Sequence, residues 1–154
     1  LGKVDENIDL LVEFAHEVDV LYNYTKKDTQ SLIRDKLVAY YAKEVIVFAK
    51  KERITNKVAN FPIEISRFGF KKTLLQLETM GHASLRIKDS MPIKTLEQNY
   101  IVDLELDKSY RFDDLEFNVK EIPGVLETGI FINIADRIYS VENKTVKTIA
   151  DFMK

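Results

Sequence analysis

Side chains that can move a proton or stabilise negative charge lie in the first third of the chain, at Glu13, His16, Lys26, Lys27 and Asp35. Carboxylates and imidazoles act as general bases, and lysines stabilise a developing oxyanion. His16 follows a predicted strand end, where a histidine serves either a site or the core. Local pattern alone indicates a solvated basic turn for the two lysines and an exposed helix position for Asp35. The elements that carry these residues therefore decide whether they meet.

Composition excludes several kinds of site. The 154 residues include no cysteine, which excludes disulfides, thiolate metal sites and a cysteine nucleophile. The two histidines, His16 and His82, are far apart in sequence, so we expect no metal site. No cofactor is expected either. His82 directly follows Gly81 and is expected to cap a helix or to lie on the surface. The 23 basic and 25 acidic residues are interspersed, so no nucleic-acid partner is expected.

The apolar segments indicate a protein without a membrane partner. None approaches the ~20 residues that a membrane-spanning helix requires. The first residues also lack the basic, apolar and small-residue order of a signal peptide. We therefore expect a cytoplasmic protein. Because the chain opens on Leu1 rather than Met, we expect a processed or trimmed product with a further segment in front.

Residues 1–61 predict a parallel α/β unit. Residues 8–12 form a short apolar run typical of a strand buried on both faces, and residues 45–49 form a second such run. Between them, apolar residues at helical spacing predict a helix that Asp28 or Thr29 caps. The order strand, helix, strand favours a crossover connection in a layered sheet.

Residues 62–131 predict an antiparallel α+β unit. Its first helix is expected to begin at a Ser66 cap, to bury Phe70, Leu74 and Leu77, and to end at Gly81. A second helix is expected over residues 113–122, before Pro123 and Gly124. Its strands are expected at residues 63–65, 83–87 and 100–106. Beyond this unit, a final hairpin is expected from strands at residues 137–141 and 145–149.

Five motifs together carry a resemblance to a known family. Residues 122–137 read IPGVLETGIFINIADR. Phe61–Ile65 resembles the motif FPLPVEV shortened by two residues, and Thr95 with residues 99–103 resembles the motif TDNGNxIxD. Residues 32–36 resemble the motif L-x-R-E-K, and residues 15–19 resemble the motif A-D-E-hydrophobic-D. Their order and spacing resemble the type A ribose-5-phosphate isomerase family over nearly the whole chain. The resemblance implies a Rossmann-like α/β domain, here 1–61 and 132–154, with an inserted α+β domain at 62–131.

The same resemblance implies the site of an aldose–ketose isomerase, with altered residues. The family's two aspartates in D-G-A-D-E correspond to Glu13 and His16, and the lysine of K-G-G-G corresponds to Lys26. The family's general base, the glutamate of R-E-K, corresponds to Asp35. The implied catalytic residues are therefore Asp35, Lys26, Glu13 and His16, and the implied substrate-binding residues are Lys26, Lys27 and Arg53.

These alterations predict a weakened site. Side chains at 27–29 replace the glycines that let backbone amides approach a phosphate. Withdrawing a base by about 1 Å can cost on the order of 10²-fold in rate. The family's amino-terminal phosphate loop has no counterpart in this sequence. We therefore expect an isomerase-like protein that is impaired or inactive as this chain. The alternative is a non-catalytic module that binds a sugar phosphate or a partner, or self-assembles; the family's habit implies a homo-oligomer.

Overall fold

The computed structural model describes residues 6–151, which contain three α-helices and thirteen strands. The helices are α1 (Leu32–Tyr41), α2 (Phe70–Leu77) and α3 (Phe112–Lys120). The strands are β1 (Leu10–Phe14), β2 (Glu17–Val18), β3 (Tyr24–Thr25), β4 (Glu44–Lys50), β5 (Val58–Ile65), β6 (Gly81–Leu85), β7 (Ile87–Lys88), β8 (Met91–Pro92), β9 (Tyr100–Tyr110), β10 (Val125–Thr128), β11 (Ile130–Phe131), β12 (Arg137–Glu142) and β13 (Thr145–Asp151). The ends of the expected first domain, 1–5 and 152–154, lie outside the described residues. No described helix is long and apolar enough to span a bilayer.

The first sheet confirms the predicted α/β fold. Its strand order is β1-β4-β12-β13, with β1 and β12 both parallel to β4. Helix α1 forms the crossover between β1 and β4. The predicted hairpin of β12 and β13 is present and turns at Asn143 and Lys144, both with positive φ. The chain thus returns to the first sheet after β11.

The first strand differs from its prediction in position and burial. It begins two residues later than expected, at Leu10, which places Glu13 inside the strand. Leu10, Val12 and Phe14 are about half exposed or more, because β1 is an edge strand with one open face. The expectation of a strand buried on both faces is therefore wrong. Glu13, on the opposite face, is buried.

The second sheet confirms the predicted antiparallel α+β unit. Its order is β10-β5-β9-β6, and every neighbouring pair is antiparallel. Helices α2 and α3 contribute to the core on one face, which includes the fully buried Phe61, Leu77, Leu104 and Leu115. Strand β5 runs through positions 61 and 62, where the two domains were expected to divide. The division itself remains a proposal.

Helix α2 begins and ends elsewhere than predicted. Its N-cap is Gly69, which has a left-handed φ of 67°, rather than Ser66. Residues 67–69 form a turn before the helix, and the Phe70 amide bonds to the Arg67 carbonyl. The helix ends at Leu77, and Gly81 opens β6 instead of closing the helix.

The segment at 122–137 packs against the chain that carries Lys26. Strand β11 pairs with β3, and the Lys26 amide donates to the Gly129 carbonyl at 2.9 Å. A Cβ atom on Gly129 would lie 2.6 Å from the Lys26 carbonyl oxygen and 2.7 Å from Cγ of Pro62. Glycine is therefore required by this close approach. Nearby, Tyr24 stacks on Phe131 with ring centroids 4.5 Å apart.

Candidate functional site

An open groove of about 1370 Å³ brings together three of the predicted site residues. Glu13 comes from β1, Lys26 directly follows β3, and Asp35 lies in the first turn of α1. The residues before β9, including Thr95 and Glu97, also line the groove. Residues from both sheets thus converge on one cavity.

Lys26 bridges the two carboxylates. Its Nζ atom lies 3.4 Å from Oε1 of Glu13 and 3.4 Å from Oδ2 of Asp35. The Lys26 side chain is 18% exposed and that of Asp35 is 25% exposed. The local-pattern interpretations, a solvated turn and an exposed helix position, are therefore wrong for these two residues. A cation between two carboxylates is suited to proton transfer next to a developing negative charge.

The carboxyl group of Glu13 is the more deeply buried of the two. Burial raises its pKa above 4.5, and Lys26 offsets part of that effect. Burial, and then the neighbouring Glu13, also raise the pKa of Tyr24, so the phenol stays protonated. Glu13 is thus a buried carboxyl that opens onto the groove beside a cation.

Asp35 is held by the residues that precede α1. Thr29 Oγ1 donates to Asp35 Oδ2 at 2.6 Å. The N-cap is Ser31, whose hydroxyl accepts from the Arg34 amide, so the expected caps Asp28 and Thr29 are wrong. Thr29 lies two residues before the N-cap, where its hydroxyl donates to Asp35 and accepts from the Ser31 amide at 3.0 Å. Thr29, at a position where the resemblance implies glycine, therefore contacts an implied catalytic residue.

A buried carboxylate of the second sheet anchors the start of α1. Glu64, on β5, is fully buried. Its Oε1 accepts from the Leu32 amide at 2.8 Å. Its Oε2 accepts from Thr95 Oγ1 at 3.1 Å and from Asn99 Nδ2 at 2.8 Å. Negative charge at a helix N-terminus is stabilising. The second sheet therefore fixes the helix that carries Asp35.

The other predicted site residues lie outside the groove. His16 Nε2 is 3.4 Å from Arg53 Nη1, and neither residue is among those that line the groove. Lys27 lines a separate cavity of about 230 Å³ together with His82. His82 is exposed on β6, so its surface interpretation is confirmed and its helix-cap interpretation is wrong.

His16 is a neutral histidine among cations. Its burial lowers its pKa, and Lys27 and Arg53 lower it further, to about 4, against a smaller opposing effect of Asp28. At neutral pH it carries no charge. It therefore does not supply the second carboxylate that the resemblance implies at this position.

The pKa of His16 predicts a specific pH dependence of stability. Between pH 6.5 and about 4 the unfolded chain binds a proton at His16 that the folded chain does not, so folding is disfavoured as the pH falls. Wild type is expected to lose stability relative to His16→Gln across this window and to show no further relative change below it. Urea unfolding of both proteins from pH 7.5 to 3.5 measures the difference. A difference that stays constant with pH would contradict the assignment.

Sequence reasoning missed two residues of this site. Thr29 was considered only as a cap, and Glu64 only as part of a scaffold motif. The available signal for Glu64 was a charged residue between Ile63 and Ile65 in an apolar strand, since such a residue is buried only with partners. For residues 6–151 the structure shows no group of three or more metal-ligating side chains.

Comparison with known proteins identifies the family of this chain. The family model of ribose 5-phosphate isomerase A (phosphoriboisomerase A) matches residues 1–145. The chain is 36% identical to ribose-5-phosphate isomerase A of Protochlamydia amoebophila over 149 residues, covering 93% of this chain and 64% of that protein. It is 30% identical to ribose-5-phosphate isomerase A 2 of Oceanobacillus iheyensis, covering 90% of this chain and 63% of that protein. The chain therefore spans somewhat less than two thirds of the length of these relatives.

Solved structures show the same similarity. A D-ribose-5-phosphate isomerase in complex with phospho-erythronic acid superposes with a TM-score of 0.83 at 30% identity, covering 94% of this chain and 66% of that one. Ribose 5-phosphate isomerase from Plasmodium falciparum superposes with a TM-score of 0.78 at 26% identity, covering 93% and 66%. The fold, the family model and the sequence identity lead to one conclusion: the chain belongs to the ribose-5-phosphate isomerase A family.

Proposed function

We propose that this chain carries the proton-transfer site of a ribose-5-phosphate isomerase, which interconverts ribose 5-phosphate and ribulose 5-phosphate. The observation that carries the proposal is the position of Lys26, 3.4 Å from both Glu13 and Asp35, on an open groove. Isomerisation moves a proton between adjacent carbons through an enediolate. It requires a carboxylate next to the carbon and a cation next to the oxygen. The cluster supplies both groups.

We propose that this activity is slower than in family members that keep the two aspartates and the glycine run. Thr29 contacts Asp35 directly, and the side chains at 27–29 occupy a loop whose glycines would admit a phosphate. His16 offers a neutral ring in place of a carboxylate. These three changes support the reduced rate, because each acts on a different part of the site.

Turnover tests the proposal directly. Protein expressed from the complete reading frame is expected to convert ribose 5-phosphate into ribulose 5-phosphate, at a lower kcat than a family member that keeps the two aspartates and the glycine run, measured in parallel. In D₂O the ketose formed is expected to carry deuterium at C1, because the carboxyl group exchanges its proton with solvent. The absence of any ketose above the uncatalysed background would overturn the proposed function.

A non-catalytic sugar-phosphate binder or self-assembling module is the second candidate. The contact of Thr29 with Asp35 favours it, since this bond occupies an oxygen of an implied base. Calorimetry with ribose 5-phosphate and light scattering distinguish the candidates. Such a module is expected to show a measurable heat of binding in calorimetry, no turnover, and a defined oligomer in light scattering. Turnover at rates typical of enzymes contradicts it.

A further inference from the structure

Thr29 and Asp35 are joined by a closed set of hydrogen bonds. The Ser31 amide donates to Thr29 Oγ1 at 3.0 Å, and the Ser31 carbonyl accepts from the Asp35 amide at 3.0 Å. Thr29 Oγ1 in turn donates to Asp35 Oδ2 at 2.6 Å. The N-cap residue of α1 therefore holds both the backbone of Asp35 and the hydroxyl that meets its side chain.

The direction of the bond between Thr29 and Asp35 follows from the chemistry of a hydroxyl. A threonine hydroxyl has one proton to donate, and its oxygen can accept two bonds. Because the Ser31 amide is a donor, Thr29 Oγ1 accepts from it and keeps its own proton for the Asp35 carboxylate. A distance of 2.6 Å is typical of a hydroxyl bonded to an ionised carboxylate, which is among the stronger hydrogen bonds in proteins.

The hydrogen bond of the Asp35 carboxylate falls on one of its two oxygens. Oδ2 accepts the Thr29 hydroxyl and lies 3.4 Å from Lys26 Nζ. Within residues 6–151, no side chain or amide donates a hydrogen bond to Oδ1. The Asp35 side chain is 25% exposed and lines the groove. A carboxylate held in this way has a fixed orientation and one oxygen that can still take a proton.

We infer that Thr29 is a positioning residue of the proposed isomerase, which holds Asp35 through Oδ2 so that Oδ1 takes the proton from the substrate carbon. This inference rests on the proposed function and adds to it a residue that acts through Asp35. Displacing a base by about 1 Å can cost on the order of 10²-fold in rate. The reduced rate proposed above belongs to Thr29 and Asp35 as a pair, and loss of the hydroxyl is expected to lower it further.

The proton transfer balances with Asp35 and Lys26. Oδ1 of Asp35 takes the proton from C2 of the open-chain aldose, and the electron pair of the C2–H bond forms the C1=C2 double bond. The carbonyl oxygen on C1 becomes an oxyanion that Lys26 protonates. Lys26 regains a proton from the hydroxyl on C2 as C2 becomes the carbonyl, and Asp35 delivers its proton to C1. Thr29 keeps its own proton throughout.

Substitutions at position 29 test this role. Thr29→Val keeps the shape of the side chain without the hydroxyl, and it is expected to lower kcat by about tenfold while KM changes by less than about twofold. Thr29→Ser keeps the hydroxyl and is expected to hold kcat within about threefold of wild type. Thr148→Val makes the matched change at an exposed position of β13, which does not line the groove, and is expected to leave kcat unchanged.

A change in the length of the carboxylate separates positioning from a general effect on the loop. Asp35→Glu adds a methylene group, for which the Thr29 hydroxyl at 2.6 Å leaves no room. The effect of Thr29→Ala on kcat is therefore expected to change sign. It lowers kcat in the wild-type background and raises kcat in the Asp35→Glu background. A purely structural role of Thr29 would lower kcat in both backgrounds.

The outcomes distinguish this inference from the proposed function. Circular dichroism identifies any variant that does not fold, and Thr29→Val and Thr29→Ala remove the hydroxyl independently. An unchanged or higher kcat in Thr29→Val, or a higher KM with unchanged kcat, overturns the inference and leaves the proposed function standing. A lower kcat on Thr29→Ala in both backgrounds does the same. No turnover by wild type overturns both.

Discussion

Glu64→Ala is expected to lower the free energy of unfolding by about 3–5 kcal/mol. The substitution removes an acceptor shared by the Leu32 amide, the Thr95 hydroxyl and the Asn99 amide group. Leu32 and Thr95 are buried, so water does not replace the lost oxygens. Each buried donor left without a partner costs ~1–3 kcal/mol. Glu64→Gln is expected to cost less, because its amide oxygen still accepts one of these bonds.

Urea unfolding monitored by circular dichroism measures this loss. Glu121→Ala, at the exposed end of α3, is the matched control and is expected to change stability by less than about 0.5 kcal/mol. A second readout comes from the helix. Amide exchange at the start of α1 is expected to accelerate more in Glu64→Ala than exchange in β4, because Glu64 bonds directly to the Leu32 amide. Stability within about 1 kcal/mol of wild type would show that the carboxylate is not the anchor described.

The elements with a clear period or a clear apolar run were predictable from the sequence. The crossover of β1, α1 and β4 and the hairpin of β12 and β13 were predicted with small shifts, because local pattern determines them. The N-cap of α1 was not predictable from the sequence, because Asp28, Thr29 and Ser31 all have side chains that can cap a helix. A tertiary contact favours Ser31, since Glu64 on β5 accepts from the Leu32 amide that directly follows it.

Sequence reasoning predicted the three residues that meet at the groove but did not separate them from the other candidates. Glu13, Lys26 and Asp35 meet, whereas His16 and Arg53 lie outside the groove. No local pattern separates these two sets, because the separation depends on how the fold places β1, the end of β3 and α1 around the groove, and His16 and Arg53 lie outside these elements. The exposure of β1 was missed for the same kind of reason. An apolar run does not reveal whether its strand is central or at an edge.

Lys26→Met is expected to reduce turnover by at least about 10²-fold, because Lys26 is the cation placed to stabilise the oxyanion. Lys26→Arg keeps the charge and is expected to retain more activity than Lys26→Met. Lys71→Met makes the same change on the exposed side of α2 and is expected to have no effect. The measurement is kcat for ribose 5-phosphate. Equal activity in Lys26→Met and wild type would remove Lys26 from the mechanism.

The same substitution is expected to change how stability depends on pH. Lys26 lowers the pKa of Glu13 while burial raises it, so removing the lysine raises that pKa further above 4.5. A carboxyl with a raised pKa binds its proton more tightly in the folded chain than in the unfolded chain, so stability falls as the pH rises through the folded pKa. In Lys26→Met the loss of stability with rising pH is expected to continue to higher pH than in wild type. The double variant that carries both Lys26→Met and Glu13→Gln is expected to lack this extension to higher pH. Urea unfolding between pH 4 and 8 measures it. An extension that persists in the double variant would assign it to a group other than Glu13.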